Sequence, residues 1–75
     1  MTRQQLIEKL KSSYEDSKKT KDVVVKLHLF GIKYAESLSE HGSLKSIAKD
    51  AGIPESYATE LQKAINLSKY VRVVN

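Results

Sequence analysis

The chain has 75 residues, 13 Lys and Arg against 9 Asp and Glu, a formal net charge of +4, a sequence pI near 9.4 and no cysteine. So short a sequence buries only about 60% of its unfolded surface and makes one economical core, without disulfides or thiolate metal sites. Two histidines, His28 and His41, fall short of the four ligands a structural zinc ion takes, so neither metal nor cofactor is expected; the basic balance points to anionic partners.

The start, "MTRQQLIEKLKSS", alternates charge with isolated apolar positions and has no apolar core of a signal peptide. The longest nearly apolar stretch, Val23 to Ile32, is broken by Lys26 and His28 and is too short to span a bilayer. A soluble, cytoplasmic protein is expected.

Apolar positions recur at helical spacing almost throughout, which predicts an all-α domain over 1–75 with four helices. The first, 3–17, carries Leu6, Ile7, Leu10 and Tyr14 on one stripe, with Glu8, Lys9, Lys11 and Glu15 opposite. In the polar linker that follows, Ser17 or Thr20 is placed to cap the second helix. That helix, 21–40, is apolar over more than half its circumference (Val23, Val24, Leu27, Phe30, Ile32, Tyr34, Ala35, Leu38) and should be the central, most buried one. Gly31 within it costs about 1 kcal/mol of helix propensity, a cost offset by the close approach of another helix. His28 is expected at the core or its boundary with a single hydrogen bond, and His41 and Gly42 suit the helix end.

The third helix, 43–51, is capped by Ser43 and turns Leu44, Ile47, Ala48 and Ala51 inward, leaving Lys45, Ser46, Lys49 and Asp50 outside. Gly52 permits the positive φ of a tight turn, Ile53 fills the angle, and Pro54 opens the fourth helix, 54–67, where Ala58, Leu61 and Ile65 share a face. A short extended or strand-like tail follows at 70–75, in which Val71, Val73 and Val74 call for docking on the helices or pairing with a second copy. Leu67, outward on the fourth helix, points the same way.

Ile47, Ala48, Ala51, Gly52, Ile53, Ala58 and Leu61 have the order and spacing of helix-turn-helix proteins, and Ser43 to Ala64 resembles that family. With "LHLFGIKYAESL" before the motif and "NLSKYV" after it, the chain also looks like small bacterial stand-alone HTH-like domain proteins. It departs from the pattern at Ala58, where a branched aliphatic is usual and Tyr57 can supply the bulk, and at Pro54, where a serine or threonine cap is usual.

The resemblance implies that the fourth helix enters the major groove of duplex DNA. Stepping 100° per residue from Ala58 puts Ser56, Thr59 and Lys63 at the middle of its outward face and Glu55, Glu60 and Asn66 at the edges. Ser56 and Thr59 can donate to phosphates or bases, Lys63 can pair with a phosphate, and Lys45 and Lys49 extend the basic surface. Glu55 suits the first turn of a helix, and Glu60 can either pair with Lys63 or accept from cytosine. The expected function is duplex DNA binding as a small transcriptional regulator or accessory subunit, as a homodimer joined through the tail, in a bacterium or its phage. The alternative is a protein-interaction adaptor or antitoxin-like component on the same helices. No nucleophile-and-base set or phosphate loop stands out, so no enzymatic activity is expected.

Overall fold

The structure is a computed structural model and describes residues 1–74. It is all-α, with five helices: α1 (Arg3–Thr20), α2 (Val23–Lys33), α3 (Ala35–Glu40), α4 (Leu44–Asp50) and α5 (Ala58–Leu67), the last preceded by a single 3₁₀ turn, Glu55–Tyr57. Leu6, Leu10, Leu27, Leu38, Ile47 and Leu61 are fully buried in one contiguous core drawn from all five helices. Each contributes roughly 1.5–3 kcal/mol by leaving water.

α1 begins in a capping box. The Thr2 hydroxyl accepts from the Gln5 amide and the Gln5 side chain accepts from the Thr2 amide. The helix runs three residues past the expected end at 17 and stops at Lys21, whose φ of 60° is left-handed. The Asp22 amide then closes back on the Ser17 carbonyl at 3.2 Å. Neither Ser17 nor Thr20 caps α2. Ser17 is buried within α1, and its hydroxyl donates to the Tyr14 carbonyl at 2.5 Å. Thr20 is the last residue of α1, with its hydroxyl on the Ser17 carbonyl and the Asp22 carboxylate. The N-cap of α2 is Asp22, without a side-chain capping bond.

The expected helix over 21–40 is two helices with a bend at Tyr34, where φ is −111° and ψ is 25°. The backbone ladder still crosses it, Tyr34 to Phe30 and Leu38 to Tyr34, both at 2.9 Å. Apolar periodicity does not register the bend because both segments face the same core, α2 through Leu27 and Phe30 and α3 through Leu38. α2 is central, packed between α1 and α5, but Val24, part of its apolar circumference, is exposed, as are Val25 and Leu29.

Gly31 marks a close crossing of α2 and α5. A Cβ built there would lie 2.4 Å from the Ala64 Cβ and 3.2 Å from the Leu61 carbonyl oxygen, so α2 and α5 touch where glycine leaves room.

The tail forms no strand among the described residues. Backbone bonds from Tyr70 and Val71 to the Leu67 carbonyl turn the chain off α5, and residues 71–74 run without regular structure. Val73 is half-buried in a groove that it lines with Lys9, Leu29, Phe30 and Tyr34. Docking of this kind meets the need of an apolar segment that has no partner strand. Asn75, the last residue of the expected tail, lies outside the described residues.

Candidate nucleic-acid interface

α4, a tight turn and the segment leading into α5 build the helix-turn-helix. Ser43 caps α4 by accepting from the Ser46 amide. At the other end the Gly52 amide donates to the Lys49 carbonyl at 3.1 Å and the Ile53 amide to the Ala48 carbonyl at 2.9 Å. That pair of bonds, around Gly52 at φ 76°, is a Schellman closure, and it redirects the chain while satisfying the last carbonyls of α4. Ile53 drops into the core beside Ala48 and Ala51.

The entry to α5 differs from the expected start at Pro54. Pro54 has ψ 135° and stands before the first helical turn, which is 3₁₀ from Glu55 to Tyr57. Proline offers no side-chain acceptor, so the first free amides reach three residues back: Tyr57 to the Pro54 carbonyl at 3.0 Å and Ala58 to that of Glu55. The α-helix begins at Ala58. Glu55 and Ser56 therefore sit on a tighter turn than 100° steps assume, although both are exposed. Tyr57 packs against the core with its ring centroid 6.1 Å from that of Tyr14, which supplies the bulk that Ala58 lacks.

Thr59 and Lys63 are exposed on α5, and Lys45 and Lys49 on α4. Among the described residues neither Lys45 nor Lys49 has a carboxylate within ion-pair distance. Lys63 does. Its ammonium lies 3.2 Å from Glu60 Oε2, while Glu60 Oε1 accepts from His28 Nε2 of α2 at 2.8 Å. Both carboxylate oxygens are thus engaged, and Glu60 is the recessed member, its side chain 21% exposed against 63% for Lys63. His28 is the boundary imidazole with one hydrogen bond that its apolar setting suggests. Asn66, at the far edge of the helix, is held by Gln62 at 3.1 Å.

Arg3 reaches the outer side of α4 from the start of α1. Its guanidinium lies 2.7 Å from Asp50 Oδ2 and 3.1 Å from Ser46 Oγ. This contact and the His28–Glu60 bond escape sequence reasoning because 47 and 32 residues separate the partners and no local pattern joins them.

The His28 hydrogen bond, and after it the Lys63 ammonium, hold the Glu60 carboxyl below the usual carboxylate range. A depressed carboxylate contributes stability that is present above its unfolded pKa and disappears as pH falls through its folded one. The stability difference between wild type and Glu60→Gln is therefore expected to shrink as pH falls below roughly pH 4. Urea denaturation at several pH values below roughly pH 5 checks this, and a difference that grows on acidification within that range contradicts it.

Comparison with known families decides what kind of unit this is, because the HTH-like domain family matches residues 2–74. The chain belongs to the HTH-like domain family. The match spans α1 to the tail, so the flanking helices belong to the family's pattern as much as the Gly52 turn does. For this HTH-like domain, membership suggests a DNA-binding helical domain. Comparisons with curated proteins and with solved structures return no match. Among the described residues, no three His, Asp or Glu side chains are grouped to hold a metal ion, and no helix is long and apolar enough to cross a membrane.

Proposed function

We propose that this HTH-like domain binds duplex DNA, as a small transcriptional regulator or an accessory DNA-binding subunit acting in the cytoplasm. The reading is supported above all by the Schellman turn at Gly52, which sets α4 against α5, with Thr59 and Lys63 exposed on the outer side of α5 among the described residues. In this reading Ser56 and Thr59 donate to phosphates or base edges, Lys63 pairs with a phosphate, and Lys45 and Lys49 of α4 add backbone contacts. Glu60 shields part of the Lys63 charge, and Glu55 lies at the rim. Two copies of the chain, meeting on the side of the tail, would present two such helices to a two-fold site.

A protein-interaction role is the second reading, favoured by the exposure of Val24, Val25 and Leu29 on one side of α2. Titration into a labelled random-sequence duplex at two salt concentrations separates the two. A DNA binder weakens steeply with salt, by a log–log slope of about −0.9 for each phosphate it neutralises. An adaptor fails to bind at the lower salt.

A further inference from the structure

We infer that His28 is a positioning residue for the DNA-facing side of α5, although it lies on α2 and outside the helix-turn-helix. The inference rests on the duplex-binding reading. Its ground is the three-residue chain His28–Glu60–Lys63, with contacts of 2.8 Å and 3.2 Å. The imidazole cannot drift from α5, because the crossing at Gly31 and Ala64, one turn further along each helix, locks α2 against it.

The effect of that hold follows from where each charge sits. A carboxylate on the outer side of α5 repels phosphate. Held by His28 through Oε1, the Glu60 carboxylate is drawn back toward α2, and the Lys63 ammonium stands outside it. With a neutral imidazole the three side chains sum to zero charge. With an imidazolium they sum to +1, and the proton strengthens the hold on Oε1 so that Lys63 is freer to turn to a phosphate.

The charged groups that face His28 are few. From α5 they are Glu60 and Lys63. On α2 its neighbours one turn away, Val24, Val25, Gly31 and Ile32, carry no charge. Among the described residues α1, α3, α4 and the tail bring no carboxylate within ion-pair distance of the ring.

The test uses the full chain and a short fluorescein-labelled duplex of random sequence, with anisotropy read at low salt near pH 5.5 and near pH 8.5. Wild type is expected to bind roughly three- to tenfold more tightly at the lower pH, the effect of one added charge close to phosphate. His28→Gln keeps a donor for Glu60 but cannot titrate, so it should bind alike at both pH values, near the wild-type affinity at the higher one. His28→Ala releases Glu60 and should bind more weakly than His28→Gln at both. Circular dichroism checks that the variants fold, and if His28→Ala does not, His28→Gln carries the test alone. His41→Gln serves as the control. That ring donates to the Met1 carbonyl at 2.9 Å, and its loss should leave the pH difference intact. A full pH difference persisting in His28→Gln, or a wild type that binds with no pH difference, overturns the inference and leaves DNA binding standing. A wild type that fails to bind duplex at either pH overturns the DNA reading and the inference with it.

Discussion

Gly31→Ala is expected to destabilise the protein by about 1–3 kcal/mol, the usual cost of forcing a methyl into a filled core. The substitution should be favourable on helix propensity alone, by roughly 1 kcal/mol. Packing wins because the new Cβ would sit 2.4 Å from that of Ala64, with the Leu61 carbonyl oxygen 3.2 Å away, and two helix backbones must separate to relieve it. A chain of this length has total stability on the order of 4–11 kcal/mol, so the loss is a large share. Ala64→Gly removes the nearer obstacle, and in Gly31→Ala/Ala64→Gly the two changes should show favourable coupling in a double-mutant cycle. Chemical denaturation of the four proteins measures both quantities. A Gly31→Ala protein more stable than wild type contradicts the close crossing, and with it the anchoring of His28 beside α5.

Lys63→Ala and Glu60→Gln are expected to move duplex affinity in opposite directions. Removing Lys63 takes away a phosphate partner and leaves Glu60 without its outer screen, so affinity should fall roughly three- to tenfold and the salt slope should flatten by about 0.9. Glu60→Gln removes the repulsion and releases the Lys63 ammonium from its 3.2 Å contact, so non-specific binding should tighten by a similar factor. The double variant shows whether Glu60 acts through Lys63, in which case the effects are not additive. Anisotropy titrations at two salt concentrations read all four corners of the cycle. If Glu60→Gln binds more weakly and changes sequence preference, Glu60 is a base contact and not a shield.

The residues best read in the sequence were those whose chemistry leaves few uses. A glycine inside a helix is costly unless a neighbour needs the space, and Gly31 has Ala64 against it. Gly42 and Gly52 follow helix ends and both take positive φ, and Ser43 stands where a cap is needed and caps. Contacts between distant positions were not legible. Nothing local ties Arg3 to Asp50 or His28 to Glu60, and the Tyr34 bend is invisible to a periodicity that continues through it. The sequence pattern opens a regular helix at Pro54, whereas Pro54 precedes a 3₁₀ turn, because the spacing of Ala58, Leu61 and Ile65 says where the helix faces and not how it begins. For the candidate site, the sequence showed which side chains are exposed on α4 and α5. The partner that occupies the inner oxygen of Glu60 comes from another helix and was hidden.

The central claim is that the outer side of α5, with the lysines of α4, is the surface that meets DNA. The most direct measurement is the set of backbone amide shifts in the protein's NMR spectrum as a short duplex is added at low salt. Duplex binding through this surface should perturb Ser56, Thr59 and Lys63 together with Lys45 and Lys49, while Val24, Val25 and Leu29 on the open side of α2 stay near their free positions. Shifts confined to α2 and the tail, or no shifts at all, would contradict it.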